Sequence, residues 1–174
     1  MKQMIVLLLG ILLCGCAIAT PTIKATKELD IQSLGMVAVL PFNGHHGDQF
    51  ADSVAQEFMI RGARIVERSR IISVLMEQGM SVADITSGRI NYEKIGGLLG
   101  VDTIVVGSVS PIVVYASGAP SGKVSTAAMR LVSVNTGAVV GSATYAANTE
   151  LLAGSVLYPE AAERLVRALI EGKL

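Results

Sequence analysis

Apolar and polar positions along this chain group into blocks with two different periods. Met36–Phe42, MVAVLPF, is a continuous apolar run of strand length. Such a run predicts a central strand buried on both faces, and Pro41 halts its ladder hydrogen bonding. After the polar loop Asn43–Gly47, Phe50, Val54 and Phe58 recur at every fourth position with Ala51 and Ala55 beside them. That spacing predicts an amphipathic helix, capped by the Asp48 carboxylate and closed by Gly62. Arg64–Glu67 reads as a short second strand. Ser69 then caps a helix carrying Ile72, Leu75 and Met76 and ended by Gly79. Residues 80–90 read as a loop and Tyr92–Leu99 as a further helix stopped by Gly100. Val101–Val109, which holds Ile104-Val105-Val106, is a second buried strand.

Beyond Pro111 the blocks become paired. Met129–Val134 and Ala138–Tyr145 flank Asn135-Thr136-Gly137, which predicts a hairpin with Gly137 in the left-handed conformation. Pro159-Glu160 opens a C-terminal helix whose apolar face is Leu165, Val166, Leu169 and Ile170. Its acids, Glu160 and Glu163, precede Arg164 and Arg167, the order a helix dipole favours. The resulting order, βαβααβββα, predicts an α/β (α+β) fold. It is a single three-layer-like domain over residues 35–174, with one mixed sheet flanked by helices.

The N-terminus follows neither period. Lys2 precedes an apolar run, Met4–Leu13, followed by Leu13-Cys14-Gly15-Cys16. The run is about half the roughly 20 residues a membrane-spanning helix needs. It reads instead as an export signal. A branched apolar residue, two small ones and a cysteine form the pattern of a lipobox, and the segment resembles bacterial lipoprotein precursors. Small side chains near the cut place cleavage after Gly15. Residues 1–15 are then the signal peptide, Cys16 the lipidated first residue, and 16–34 a tether. A plain secretory signal cut near Ala17-Ile18-Ala19 competes, but the lipobox gives the one cysteine that survives cleavage a chemical role. Each buried methylene contributes about 0.8 kcal/mol, so several acyl chains on one residue make a durable anchor. Ala17 follows the cysteine where Asp would signal inner-membrane retention, which by resemblance to enteric lipoproteins implies the outer membrane.

Composition narrows the function further. The 174 residues carry 14 basic and 14 acidic side chains, so no basic patch points to nucleic acid. Tryptophan is absent and aromatic residues make up 4%, too few for the aromatic girdles of a membrane barrel. His45-His46 with Asp48 is a poor metal site, since adjacent side chains diverge and the mature domain offers no further His or Cys to complete a shell. Glu67-Arg68-Ser69 has no histidine nearby in sequence; Ser69 reads as a cap, and the charges as structural ion-pair or partner-contact residues. Gly96-Gly97-Leu98-Leu99-Gly100 lacks the Lys-Ser/Thr of a phosphate loop and follows a helix, so these glycines read as serving helix termination and close packing. Ser117–Lys123, SGAPSGK, reads as an exposed polar hairpin loop, with a contact surface as the alternative. With no acid–base pair, metal shell or cofactor motif, the expectation is a non-enzyme without cofactor or small-molecule substrate.

Four segments carry a family resemblance: VAVLPF at 37–42, IVERSRIISVLMEQGMS at 65–81, LLGVDTIVVGSVS at 98–110 and RLVSVNTGAVVGSATY at 130–145. In this order they resemble the periplasmic domain of the CsgG family, the curli production and secretion lipoproteins, over roughly residues 35–170. The resemblance implies an outer-membrane lipoprotein of the periplasmic face, acting in curli-type secretion or envelope assembly through protein partners and self-association. Pore-forming members give two hairpins per subunit to a shared barrel. This sequence departs from that pattern. Val113–Thr126 is largely turn, and Ala146–Tyr158 is too short for two strands of the about 9–11 residues that a crossing takes. More distantly the domain resembles LpoB, a lipoprotein activator of a peptidoglycan synthase, which implies an alternative role as such an activator. LpoB has a long disordered arm before its domain, and residues 17–34 are too short to match it.

Overall fold

The computed structural model describes residues 21–26, 29–81, 84, 91–116, 119–147 and 155–172, with 113–116 and 119–122 as backbone alone. Six strands form one mixed sheet: β1 (Thr22–Ala25), β2 (Met36–Val39), β3 (Arg64–Ile65), β4 (Thr103–Ala116), β5 (Ala119–Ser133) and β6 (Val139–Ala146). Their order across the sheet is β1-β6-β5-β4-β2-β3. β2 runs parallel to both β3 and β4, and every other pairing is antiparallel. Four described α-helices accompany it: α1 (Gly47–Ile60), α2 (Arg68–Glu77), α3 (Tyr92–Leu99) and α4 (Tyr158–Glu171). The fold is thus the mixed α+β arrangement that the periodicity predicts, with one strand more than expected.

Side-chain alternation along the strands explains why the apolar runs are continuous. Val37 and Val39 join the cluster under α1 and α4, with Phe50, Val54, Phe58, Leu165, Val166 and Leu169. Ala38 and Leu40 point the other way, into the cluster under α2 and α3 with Ile71, Leu75, Ile95 and Leu99. Val105 and its neighbours Ile104 and Val106 divide likewise. Each fully buried large side chain contributes about 1.5–3 kcal/mol through burial, so both helical layers hold the sheet. The second layer ends before the first. On β5 and β6, Ala127, Met129, Ala143 and Tyr145 are buried under α4, while Thr126, Arg130 and Thr144 between them are exposed.

Three expectations are corrected. The stretch read as tether, 16–34, is folded in its described parts, 22–26 and 29–34. Thr22–Ala25 pairs with Ala146–Ala143, Leu29 and Leu34 are buried, and Asp30 caps a 3-10 turn at Ile31–Leu34 by accepting from the Gln32 N–H at 3.0 Å. Asp48 is not the cap of α1. His46, at φ 57°, holds that position without a side-chain cap bond. Gly47 lies so close to Phe42 that a Cβ would stand 1.9 Å from the Phe42 carbonyl oxygen, and the helix begins there. Ser69 does not cap α2 either, because Glu67 holds the extended cap position and Arg68 is already helical. The reading of Gly137 stands: it has φ +65°, and its N–H bonds the Ser133 carbonyl at 2.9 Å.

Candidate functional site

The loop Asn43–Gly47 is held from several sides. The Asn43 N–H donates to the Gly107 carbonyl at 2.8 Å, and the Asn43 carbonyl accepts from Val109 N–H at 2.8 Å. At Gly44, φ is +116° and a Cβ would lie 1.9 Å from the Val109 oxygen. This close seat carries His45 and His46, whose rings meet edge to face with centroids 3.9 Å apart, and the His46 ring centroid lies 6.3 Å from that of Tyr158. The cluster is aromatic packing that continues through Phe50 into the core. Among the described residues, no group of three His, Cys, Asp or Glu converges to hold a metal ion. The Tyr158 hydroxyl is buried with no hydrogen-bond partner among the described residues. Burial first, and then the charge of Asp48, raise its pKa.

Arg68 is the electrostatic centre. From the first turn of α2 it reaches back to α1, pairing with Asp52 and, at 3.3 Å, with Asp48, and it donates to the Asp48 carbonyl at 3.2 Å. Burial works against its charge, but the two carboxylates more than offset this and raise its pKa. The Asp48 carboxyl lies below its ordinary value, chiefly because it accepts the Gln49 backbone N–H; partial burial opposes this, and Arg68 reinforces it. The ion pairing expected of Arg68 is therefore present, and it ties two helices rather than a substrate.

Polar groups converge at a cleft of about 420 Å³ at the end of the sheet, lined among others by Gln32, Ser33, Asp102, Thr103, Ser133 and Asn135. Its polar atoms are partly committed. An Asp102 carboxylate oxygen accepts the Met36 N–H at 2.8 Å, and the Thr103 hydroxyl donates to the Leu34 carbonyl at 2.8 Å. Among the described residues of the lining, Asp102 is the only ionisable one.

The opposite end of the sheet departs most from expectation. The segment read as a polar loop, Ser117–Lys123, is mostly strand. β4 and β5 stay paired out to Ala116↔Ala119, and Ser117 and Gly118 lie outside the described residues. A register shift between Ser110 and Pro111 marks where this arm leaves the sheet. Beyond it, Pro111–Ala116 pairs only with Ala119–Val124 among the described residues, apart from a bridge from Val124 to Val156. Cys16, and residues 148–154 of the stretch Ala146–Tyr158 read as too short for a second hairpin, lie outside the described residues.

No family model matches the chain, and no curated protein matches it in sequence. Solved structures do share its fold. A PelC dodecamer variant from Paraburkholderia phytofirmans superposes with a TM-score of 0.53 at 16% identity, covering 85% of this chain and 98% of that one. Lipoprotein GNA1162 from Neisseria meningitidis gives a TM-score of 0.53 at 19% identity, covering 79% and 96%. The LpoB C-terminal domain from Escherichia coli stands lower, at 0.46 and 18% identity over 66% and 83%. The likeness is one of fold.

Sequence reasoning missed two features of this region, β1 and the arm. Ile23 and Ala25 alternate with Thr22 and Lys24, but four residues are too few for a period to stand out. In the arm, Ser, Gly and Pro carry turn chemistry, and only cross-strand pairing turns them into strand.

Proposed function

We propose that this chain is a lipid-anchored, non-enzymatic lipoprotein of the cell envelope, CsgG-like, held through Cys16 in the outer membrane and facing the periplasm. There it acts by protein contacts in envelope assembly or secretion, and it self-associates. The observation that carries the reading is the shared fold: it covers most of this chain and nearly all of a solved lipoprotein and of a protein that assembles as a dodecamer. The lipobox ending at Cys16 supports it independently. Exposed apolar side chains support the contact role: Ile72 and Met76 lie one turn apart on α2. Clustered exposed apolar surface marks interaction sites. A synthase activator of the LpoB kind fits less well, because the folding of β1 shortens an already short tether.

Two measurements test this. Radiolabelled palmitate should be incorporated into the wild type and lost in Cys16→Ala; continued labelling of that variant would overturn the anchor site. Detergent-extracted protein should sediment as an assembly, and Met76→Glu should lower its mass. A strictly monomeric wild type would sink self-association.

A further inference from the structure

The cleft at the end of the sheet is built around a fixed carboxylate. The Asp102 N–H donates to the Met36 carbonyl at 2.8 Å, and the Asp102 carbonyl accepts the Val134 N–H at 2.9 Å. Its Oδ2 accepts the Met36 N–H at 2.8 Å. The start of β2 and the end of β5 thus hold this residue from both sides. Gly35 makes room for it: φ there is +64°, and a Cβ would stand 2.2 Å from Oδ2. The other oxygen, Oδ1, accepts no hydrogen bond among the described residues, and no cation pairs with it there.

The groups around Oδ1 have acceptors to spare and few donors. The Thr103 hydroxyl spends its proton on the Leu34 carbonyl at 2.8 Å, and the Ser33 hydroxyl on the Asp30 carbonyl at 2.6 Å. A hydroxyl whose proton is committed offers only lone pairs, as a carboxylate does. The carboxamides of Gln32 and Asn135 also line the cleft and can turn their carbonyl oxygens inward. No Lys, Arg or His stands among the described lining residues. An anion entering here would find a like charge and no cation to pair with, whereas a cation rich in N–H groups would satisfy what is left open. Leu29, Leu34 and the exposed Val140 add apolar surface against which an alkyl stem can lie. The volume of about 420 Å³ falls within the range of about 300–1,000 Å³ that small-ligand sites occupy.

The geometry points to a binding site for an organic cation, a guanidinium or ammonium group on a short alkyl stem, with Asp102 Oδ1 as its charge partner. Such a group comes either on a free amine or on a basic side chain that another protein inserts. The test follows backbone amide shifts of the full detergent-solubilised protein during titration with agmatine, with blocked arginine (N-acetylarginine methylamide) and with the uncharged isostere N-acetylcitrulline methylamide. At least one of the two cations should shift the Asp102, Thr103 and Asn135 amides saturably. The citrulline compound should bind roughly tenfold more weakly, as the loss of one charge-assisted hydrogen bond requires. Asp102→Asn should weaken cation binding by a similar factor. Val140→Lys, which sets a positive charge at the cleft without touching the bonds that hold Asp102, should weaken it several-fold and keeps the test valid where Asp102→Asn unfolds. Saturation by blocked arginine supports an inserted side chain; saturation by agmatine alone supports a free amine. No saturable shift with either cation, equal binding of the citrulline compound, or an affinity unchanged in Val140→Lys overturns the site. The reading of Cys16 as an anchor stands or falls separately, by its own labelling test.

Discussion

The inner and outer halves of the β4–β5 hairpin belong to the same two strands but are held by different forces. In the inner half, Ile104, Val105, Val106, Met129, Leu131 and Val132 are buried, and helices cover one or both faces. In the outer half, past the register shift at Ser110/Pro111, the strands pair almost only with each other among the described residues. Isolated two-stranded ribbons are marginal in water, so the outer half depends on the inner one as its template. The contrast separates what builds the domain from what the domain presents.

Substitutions can break this contrast, the largest effects falling in the inner half. Phe50 and Leu131 are fully buried. Phe50→Ala should cost about 3–5 kcal/mol and Leu131→Ala about 2–5 kcal/mol, read by urea denaturation. Gly107→Ala should follow: its Cβ would stand 2.2 Å from the Ala128 carbonyl oxygen and 2.4 Å from a Phe42 ring carbon. Overpacking of this kind costs about 1–3 kcal/mol. In the outer half, replacing Ile112–Lys123 by an Asn-Gly turn should cost less than Leu131→Ala does, since it leaves buried Val124 and the whole inner half in place. A loss matching that of Leu131→Ala would abolish the distinction between the halves.

The smallest effect lies outside both halves. Arg68→Ala should cost at most about 1 kcal/mol near neutral pH, because the pairs are partly exposed. The folded Asp48 pKa is lowered, so the stabilisation is present above the ordinary carboxylate pKa and is lost as pH falls through the folded value. Thermal melts of wild type and variant should therefore converge in acid. A gap that persists there would mean that Arg68 acts by packing its aliphatic stem.

What was legible in the sequence follows the same division. β2, α1, α3 and α4 could be read because burial imposes a local period: Phe50, Val54 and Phe58 on α1, and Leu165, Val166 and Leu169 on α4, are all fully buried. β1 and the arm could not, because distant partners set their conformation; Thr22 pairs with Ala146 and Ala116 with Ala119. The caps were misread for a third reason. A left-handed His46 and a Gly47 seated against Phe42 move the helix start ahead of the residue best suited to cap it. Of the candidate chemistry, the ion-pairing role of Arg68 was visible in advance. The cleft beside Asp102 was not, since its lining comes from four separate stretches of chain.

Pairing Thr22 with Ala146 also has a consequence for the order of folding. The two positions lie 124 residues apart in the chain, and closing so long a loop carries an entropic cost that only a formed β6 can offset. The first strand in sequence is then among the last to dock. While the remainder of the chain folds, Thr22–Ala25 stays undocked and the sheet lacks its outermost strand beside β6. Pulsed hydrogen exchange should find the Ile23 and Ala25 amides protected after those of Val105 and Leu131; simultaneous protection would contradict this order.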